Sequence, residues 1–281
     1  MSELTFERVV QQVRQLPSLS AVLHEILLSF DNEDIESAAL VNKISCDQGL
    51  AARVLRVANS AFYGLSSHVT SIDDAVVVLG FHCVRSLAVA AGIIEQFPLA
   101  DGKSFSRLEF WHHATGVGVC ARVIAMRVGL NAETAFTAGL LHDVGRLALD
   151  VYFHDEFEQV LTYCAKQDGE MLEAEWETLG MTHASIGFEM AKQWKFPLPI
   201  QLAIRDHHHP DSGQHALLTD TVHCANVLCH ALEIGNSGYD MVPPLSAGAW
   251  ERLGLGWKAC RAILPEIERQ NAALGLLMES N

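Results

Sequence analysis

Basic residues are scarce in this 281-residue sequence, which has 19 Lys and Arg against 34 Asp and Glu. The formal net charge is therefore −15, and a field of that sign repels phosphate backbones and acidic lipid surfaces. Proline is also sparse, at 8 residues, while hydrophobic residues make up 49% of the chain. This composition excludes a disordered or fibrous chain. We predict a globular protein whose partners include neither nucleic acid nor a membrane.

Long uninterrupted apolar runs are missing as well. The stretches AVVVLG and LAVAAGII are broken by His82, Arg85 and Glu95, well short of the roughly 18–20 residues that a membrane-spanning helix needs. The N-terminus, MSELTFERVV, has acidic residues where an export signal would need a basic start and an apolar run. We therefore expect neither a membrane span nor an export signal.

No CxxC pair occurs among the seven cysteines, which are widely scattered and lie mostly in apolar surroundings. An odd number of cysteines without such pairs is not the framework of a disulfide-rich secreted protein. We predict that they are reduced thiols, buried in the core of a cytoplasmic protein.

Strict alternation of apolar and polar residues, the mark of half-buried strands, does not persist over five or more residues in this chain. Apolar residues recur instead at steps of three and four, which predicts an all-α fold class. The run AVVVLG resembles a strand, but the helical spacing continues through residues 81–88, so we assign a helix with a break at Gly80. Ser71 and Asp47 are predicted to cap the helices that follow them.

Residues 98–104, PLADGKS, combine Pro, Gly and polar residues between two long apolar-periodic regions, which is typical of a linker. We place a boundary there and predict an N-terminal helical lobe over residues 1–100 and a second helical lobe, with a C-terminal helix, over residues 101–281. Helices of the second lobe are predicted at about 105–129, 133–150, 155–168, 170–179, 184–194, 198–209, 216–234 and 256–277.

Histidine is distributed unevenly, since eleven of the 14 histidines lie after residue 101 and seven of them fall between His183 and His230. Histidine is the commonest metal ligand and titrates near neutral pH. We therefore expect a metal or acid–base site in the second lobe. The alternative interpretation is surface enrichment of histidine in an acidic protein.

The dipeptide His142-Asp143 is distinguished by its apolar context, AFTAGLLHDVGRLAL. An ionised carboxylate inside such a helix is costly unless it binds or pairs with a cation. A second dipeptide, His154-Asp155, opens the acidic segment DEFEQ and needs only water. His112-His113, His183 and residues 207–209 are candidates to complete a site with Asp143, although each could also be a helix cap, a core histidine or an exposed residue.

In chain order these residues form the series Trp-x-His, AGLLHDxGRL, GxxHxxxGxxxAxxW and HHxP. The series resembles the HD-domain superfamily, and more closely its HDOD (HD-related output domain) branch. The upstream segments LPSLSAVLHEIL, ISCDQGLAARVLRVANSAFYG and SIDDAVVVLGF are similar to the N-terminal signature of that branch, with Asn59-Ser60-Ala61 and Tyr63-Gly64 at its centre. The resemblance runs from Leu16 to Leu232 and implies a two-lobed all-α protein of bacterial signalling with an HD-domain-like helical bundle.

Position by position, the resemblance implies that the metal ligands are His113, His142, Asp143, His183, His207 and His208. The superfamily has Asp at a further ligand position where this chain has Asn226, and a neutral amide oxygen holds a divalent cation less strongly than a carboxylate. His223 and His230 share a helical face with Asn226 and are alternatives for that ligand. Asp220 lies about 240° around the helix from Asn226 and does not easily replace it.

The implied cofactor is a divalent metal ion, Fe, Mn, Zn or Ni, with Asp143 as a shared ligand. Such an ion lowers the pKa of bound water and activates it toward a phosphate ester. Asp143 and Arg146 would then be the catalytic residues, with Arg146 as the phosphate contact. Arg146 has a second interpretation, as a helix-end cation paired with Asp150.

Two functions of different classes fit these residues, because one fold can support both. The leading hypothesis is a regulatory module of bacterial signal transduction that binds a separate signalling protein and retains most of the HD-type metal site. The alternative is a metal-dependent phosphohydrolase acting on a nucleotide or other phosphate ester. The HD-GYP phosphodiesterases carry Gly-Tyr-Pro after the paired histidines, where this chain has HPDSGQHALL, so a cyclic dinucleotide is not the expected substrate.

Overall fold

The structure, a computed structural model, is built from α-helices and describes residues 4–30, 37–59, 68–97, 105–167, 170–212, 216–235 and 241–278. The helices before residue 100 are α1 (Phe6–Val13), α2 (Ala21–Leu28), α3 (Ser37–Cys46), α4 (Gln48–Ala58), α5 (Ile72–Leu79) and α6 (Phe81–Gln96). Those after it are α7 (Arg107–Val128), α8 (Ala132–Leu141), α9 (Val144–Tyr152), α10 (His154–Gln167), α11 (Met171–Leu179), α12 (His183–Gln193), α13 (Leu198–Asp206), α14 (Leu217–Ala231), α15 (Ala247–Arg252) and α16 (Trp257–Met278). These ranges contain no β-strand, so the predicted all-α fold class is confirmed. None of the helices described is both long and apolar enough to cross a membrane.

Side-chain caps fix where several helices begin. The Ser71 hydroxyl accepts a hydrogen bond from the Asp74 amide at 3.0 Å, and the Asp47 carboxylate accepts one from the Leu50 amide at 3.0 Å. Gly80 has a φ of +87°, a backbone conformation that favours glycine, and it separates α5 from α6. The predicted caps and the predicted break at Gly80 are therefore confirmed.

The predicted helix over residues 133–150 is wrong, because α8 and α9 are separate helices that meet at His142 and Asp143. His142 Nδ1 donates to the Gly139 carbonyl at 2.7 Å, whereas the His142 amide reaches the same carbonyl only at 3.4 Å. The imidazole thus competes with the backbone for this acceptor, which interrupts the helix. His142 and Asp143 consequently lie at a helix junction and not inside one helix.

The central helix of the fold is α7. All of residues 116–121 are buried, so no face of the middle of this helix is in water. It packs against α8, α14 and α16 and contributes to both clusters of buried apolar side chains. Because α7 is this deeply buried, its polar residue His113, 4% exposed, is forced into the interior.

The larger of the two apolar clusters contains side chains from both predicted lobes. Phe97 packs edge-on against Trp194, with ring centroids 6.2 Å apart, and the Ser86 hydroxyl donates to the Glu133 carbonyl at 3.2 Å. The predicted linker, residues 98–104, lies outside the described residues. The division into two lobes therefore stays a prediction, and the two parts share one core.

Part of the predicted N-terminal signature, Ser60, Ala61, Tyr63 and Gly64, also lies outside the described residues. Asn59 is described, and its amide nitrogen donates to the Val69 carbonyl at 2.8 Å while its Oδ1 accepts from the Val69 amide at 2.7 Å. Asn59 therefore ties the end of α4 to the segment before α5.

All seven cysteines are free thiols, and six of them are buried. Cys46, the last residue of α3, is exposed. The prediction of buried thiols is therefore correct for the other six and wrong for Cys46, which lies at a helix end facing solvent.

Candidate metal centre

The residues predicted for the site come from separate parts of the fold and meet in its interior. His113 lies within α7, His142 and Asp143 at the α8–α9 junction, His183 at the start of α12, His207 and His208 just after α13, and Asn226 within α14. All of them are buried except His208, which is half-buried. We call the six histidine and aspartate residues the His/Asp cluster. Most of them lie at helix ends, where the turn of the backbone directs their side chains inward.

The Asp143 carboxylate is the centre of the His/Asp cluster. Its Oδ1 lies 3.0 Å from His183 Nε2 and 3.4 Å from the Nε2 atoms of both His142 and His207. Its Oδ2 lies 3.2 Å from Arg146 Nε. Asp143 is 1% exposed, so three imidazoles and a guanidinium surround a carboxylate that solvent does not reach.

A glycine allows α9 and α12 to approach closely enough for these contacts. A Cβ atom on Gly145 would overlap the backbone carbonyl of His183 and would lie 2.8 Å from the amide nitrogen of Gly187. Only a residue without a side chain fits here. Gly145 therefore sets the separation between Asp143, which precedes α9, and His183, which begins α12.

Two imidazoles are oriented by hydrogen bonds from the ring nitrogen that points away from Asp143. His142 Nδ1 donates to the Gly139 carbonyl at 2.7 Å, and His207 Nδ1 donates to the Ile204 carbonyl at 2.8 Å. A proton on Nδ1 leaves the lone pair of a neutral imidazole on Nε2. Both rings therefore direct Nε2 toward Asp143, as proteins orient histidines that bind metal ions.

Glu175 is a residue of the candidate site that the sequence did not predict. It is fully buried in α11, and its carboxylate accepts hydrogen bonds from His183 Nδ1 at 2.7 Å and from the His183 amide at 2.8 Å. The only signal in the sequence is its spacing, four residues after Met171 and four before Leu179, both on the buried face of α11. That position holds the imidazole of His183 from the side opposite Asp143.

The charges around Asp143 shift two pKa values in opposite directions. Burial alone would raise the pKa of the Asp143 carboxyl, but Arg146, His142 and His183 outweigh burial and hold the pKa well below its usual range. Burial alone would lower the pKa of His183, but the Glu175 and Asp143 carboxylates raise it to about 9. His183 therefore lies between two anions. They favour positive charge at its Nε2 atom, whether that charge is a proton or a bound cation.

The other imidazoles near Asp143 are held in the neutral form. Burial lowers the pKa of His207, and it lowers the pKa values of His142 and His208 well below the ordinary value. Neutral imidazole is the form that coordinates a metal ion.

Several buried polar atoms at the centre have no hydrogen-bond partner. They are both carboxylate oxygens of Asp143, Nε2 of His142 and Nε2 of His207. A buried polar group left unsatisfied costs about 1–3 kcal/mol, so four at one point require an explanation. A divalent cation provides one, because all four atoms can act as electron-pair donors.

The donor atoms form two groups that share Asp143. In the first group, donor atoms of Asp143, His183, His207 and His208 lie within 4.8 Å of one another, and in the second group those of His113, His142 and Asp143 do. Nε2 of His208 lies 3.0 Å from Nε2 of His183. Imidazoles combined with a single carboxylate favour first-row transition metals over Mg²⁺ or Ca²⁺. The cluster can therefore hold a divalent transition-metal ion.

Asn226, at the position where the superfamily has Asp, contacts His113. Its Oδ1 lies 3.0 Å from His113 Nε2, while His113 Nδ1 lies 3.3 Å from the Ile234 carbonyl. Both ring nitrogens of His113 thus have partners within the protein. Asn226 is therefore attached to the second group through His113.

Of the two histidines considered as replacements for the missing carboxylate, His223 is excluded. Its Nδ1 donates to the His207 carbonyl at 2.7 Å, and its Nε2 accepts from the Ser246 amide at 2.9 Å, so neither nitrogen is available to a metal ion. His230 packs its ring against His113, with centroids 4.5 Å apart.

The family model of the HDOD domain matches residues 16–210. This is more than half of the chain and includes every residue of the His/Asp cluster. The chain belongs to the HDOD family. Asn226 lies beyond the matched residues.

Solved structures and a curated protein are similar to this HDOD chain over most of its length. An HDOD domain protein with unknown function from Geobacter sulfurreducens is 27% identical, with a TM-score of 0.83, over 97% of this chain and 99% of that one. A candidate phosphohydrolase from Shewanella amazonensis SB2B is 26% identical, with a TM-score of 0.72, over 95% and 97%. An uncharacterized protein of Treponema pallidum (strain Nichols) is 26% identical over 84% of this chain, which spans 46% of that relative's length.

A pocket of about 70 Å³ opens beside the cluster in this HDOD protein. Its polar lining consists of Arg146, Glu170, His208, His209 and His230, and its apolar lining consists of Met171, Leu172, Met241, Pro243 and Pro244. The pocket gives a small ligand access to two members of the centre, Arg146 and His208.

Arg146 lies in the first turn of α9, where it lines the pocket and faces Asp143. It is therefore not a cation at the C-terminal end of its helix. Asp150, the partner considered for it, forms an ion pair with Arg107 at 2.6 Å. The role of Arg146 as a phosphate contact stays a prediction.

The pocket wall that precedes α15 is held by four hydrogen-bonded side chains, which we call the clamp: Asp211, Asp220, Ser246 and Arg252. No sequence motif predicts these contacts. The Ser246 hydroxyl donates to Asp211 at 2.5 Å. Arg252 donates to Asp211 at 2.8 Å and to both carboxylate oxygens of the buried Asp220 at 2.7 and 2.8 Å. Because the Ser246 amide also bonds His223, which in turn bonds the backbone of His207, this wall is connected to the centre.

Proposed function

We propose that this HDOD protein is a regulatory module of bacterial signal transduction that binds a partner protein and holds a divalent metal ion, Fe, Mn, Zn or Ni, in its interior. The observation that carries the proposal is the convergence of buried imidazole nitrogens on Asp143, with polar atoms that lack hydrogen-bond partners. A buried ionic cluster stabilises a fold less well than apolar side chains of similar volume. Its presence therefore supports a role in binding a cation.

Membership of the HDOD family supports the signalling role. The distribution of the proposed ligands along the chain supports it as well. None of the proposed ligands comes from α1–α6. Instead, α5 exposes the adjacent Val77 and Val78, which are 85% and 51% exposed, and we propose that they belong to the surface that contacts the partner. We propose that residues 1–100 form the recognition lobe of a cytoplasmic protein and that residues 101–281 form the lobe that binds the metal ion.

The metal content of the purified protein tests the shared part of this proposal. Wild-type protein is expected to retain metal after desalting, and Asp143→Ala is expected to lose it, because every donor group includes Asp143. Asp155→Ala is the matched control, since it alters the other His-Asp dipeptide, which is exposed at the start of α10. Folded wild-type protein that takes up no Fe, Mn, Zn or Ni would remove the metal from the proposal.

A metal-dependent phosphohydrolase is the second candidate function, favoured by the position of Arg146 between Asp143 and the pocket. When bound, the metal ion would act as a Lewis acid that lowers the pKa of water. Arg146 would bind phosphate oxygens through two N–H groups, and the apolar wall of Met241, Pro243 and Pro244 would contact the ester group and exclude bulk water. Asp143 and the neutral imidazoles would hold the metal ion beside the phosphate.

Turnover of bis(p-nitrophenyl) phosphate with added Mn²⁺ tests this second function. Wild type and Asp155→Ala are expected to release p-nitrophenolate, and Asp143→Ala is expected to fall to the rate without protein. Arg146→Ala is expected to raise KM, because the phosphate contact is lost. Equal rates in wild type and Asp143→Ala would exclude hydrolysis at this centre and leave the signalling role.

The signalling role has its own test in the organism that encodes the chain. If partner binding is the function, a chromosomal Asp143→Ala allele that encodes folded protein should retain the regulatory phenotype that a deletion loses. A Val77→Asp allele should resemble the deletion. The opposite pattern would assign the function to the metal centre instead of the α5 surface.

A further inference from the structure

We infer that this HDOD protein binds a single metal ion, in the first group formed by Asp143, His183, His207 and His208, and that Asn226 closes the second position. The inference rests on the proposed metal site and adds its stoichiometry, together with the residue that sets it.

The first group is complete without Asn226. It supplies three imidazoles and one carboxylate, enough donors for a transition-metal ion. An octahedral ion such as Mn²⁺ would have positions left for further ligands. Glu175 fixes the ring of His183 from behind, and the backbone carbonyl of Ile204 fixes that of His207. His208 also lines the pocket, so an ion held here would be accessible to a small ligand.

The second group has only three imidazole and carboxylate donors, those of His113, His142 and Asp143, against four in the first group. The atom beside His113 Nε2, at 3.0 Å, is Asn226 Oδ1, a neutral amide oxygen where the superfamily has a carboxylate, and it holds a divalent cation less strongly. The His113 ring is also held from its other side by the Ile234 carbonyl. Gly235, with a φ of +66°, permits this contact, because a Cβ there would overlap the backbone of His113. With three strong donors and a neutral amide oxygen, the second group is therefore the weaker of the two sites.

The number of carboxylates at the centre also favours one bound ion over two. Among the donors of both groups, Asp143 is the only carboxylate, and it already faces Arg146. One divalent ion beside Asp143 leaves an excess of positive charge. A second divalent ion would add two further charges at short range without any added carboxylate, and like charges in a buried site repel strongly. Asn226, unlike the Asp of the superfamily, supplies no compensating charge.

The Asn226→Asp variant tests this inference because it adds a carboxylate with almost no change in shape. Metal-free protein is incubated with excess MnCl₂ and desalted, and bound Mn is measured by mass spectrometry. Wild type is expected to hold about one Mn per chain, and Asn226→Asp about two. Electron paramagnetic resonance provides a second readout, since an isolated Mn²⁺ gives a six-line spectrum, whereas two adjacent ions give a spin-coupled one.

Asn131→Asp is the matched control, because it makes the same chemical change at the exposed cap of α8, where Asp caps as well as Asn. It is expected to bind as much Mn as wild type. His113→Gln should also retain about one Mn per chain, and His183→Gln should lose it. Circular dichroism establishes that each variant is folded.

Two Mn ions in wild type would overturn the inference while leaving the proposed metal site in place. One ion in both wild type and Asn226→Asp would overturn it as well, since Asn226 would then not be what closes the second position. Loss of Mn in His113→Gln with retention in His183→Gln would place the ion in the second group and reject the assignment. Folded wild type without any Mn, Fe, Zn or Ni would reject the proposed metal site itself.

Discussion

Substitution of Glu175 tests the metal centre without changing a proposed ligand. Its carboxylate, fully buried, holds both the ring and the amide of His183. We expect Glu175→Gln to weaken metal binding about 10- to 100-fold, as loss of a residue that orients a metal-binding histidine commonly does. A competition titration against a chromophoric chelator measures this change.

Glu177→Gln makes the same chemical change two residues further along α11, on an exposed side chain, and should leave metal affinity unchanged. Equal affinity in Glu175→Gln and wild type would show that His183 does not depend on its buried partner for its orientation. Equal loss in both variants would attribute the effect to the helix and not to the contact with His183.

The residues of the centre could be predicted to different extents. The histidines and Asp143 are recognisable from their order along the chain, because that order carries the resemblance to a known family. Glu175 could not be found in this way, since a buried face on α11 predicts only burial. The bond between Asn226 and His113 also escaped prediction, because it depends on how α7 and α14 pack, and no spacing within the sequence encodes that contact.

The contact between α9 and α12 depends on a single glycine. We expect Gly145→Ala to lower the free energy of unfolding by about 1–3 kcal/mol, because the added methyl group has no space against the His183 carbonyl. Metal affinity should fall as well, since Asp143 and His183 move apart. Urea unfolding followed by circular dichroism measures the first effect, and chelator competition measures the second.

Gly256→Ala is the matched control for this variant, because a Cβ atom at Gly256 meets nothing within 4 Å. It should change stability by less than about 1 kcal/mol, through the unfolded chain alone. If Gly145→Ala behaves in the same way, α9 and α12 are not in the close contact described.

Within the clamp, Arg252 neutralises the buried carboxylate of Asp220. Arg252→Ala leaves the carboxylate of Asp220, which is 0% exposed, without its cation, and should destabilise the fold by about 3 kcal/mol. The double variant Arg252→Ala with Asp220→Asn should lose less than Arg252→Ala alone, because the uncompensated charge is gone. Additive losses in urea unfolding would contradict this account.

Whole helices were predicted where the apolar spacing extends over several turns, as in α7, α12 and α14. The pattern could not predict α15, because six residues are too few to establish a period. The pattern also predicted one helix where the structure has α8 and α9, because the apolar residues on both sides of His142 continue the same spacing. The break between α8 and α9 depends on a hydrogen bond from the His142 imidazole to the Gly139 carbonyl. The spacing of apolar residues carries no information about such a bond.

For the molecule as a whole, spacing and resemblance predict the all-α class, which the structure confirms, and a two-lobed division, which stays a prediction. They do not predict how the two parts stabilise one another. The shared apolar core, with Phe97 against Trp194, indicates that neither part is independent of the other. Trp194 Nε1 also donates to the Pro17 carbonyl at 3.4 Å. Such contacts join residues far apart in sequence, which periodicity cannot reveal.

We therefore expect the chain to unfold in urea as one cooperative unit. All five tryptophans lie after residue 101, so tryptophan fluorescence follows the second part, whereas far-ultraviolet circular dichroism follows the helices of both. The two signals should change at the same urea concentration, which is the criterion for two-state behaviour. A fluorescence midpoint separated from that of circular dichroism would mean that the predicted lobes are independent domains.

Added metal ion provides a second test of cooperative unfolding, because the proposed ion binds only to residues of the second predicted lobe. Free ligand at 100 times its dissociation constant stabilises a folded protein by about 2.7 kcal/mol. In a single unit, added Mn²⁺ should move the fluorescence and circular dichroism midpoints together, because stabilising one part stabilises the whole. In two independent domains, Mn²⁺ would move the fluorescence midpoint and leave part of the dichroism change in place. Asp143→Ala should show neither shift, which separates binding at the centre from general effects of the salt.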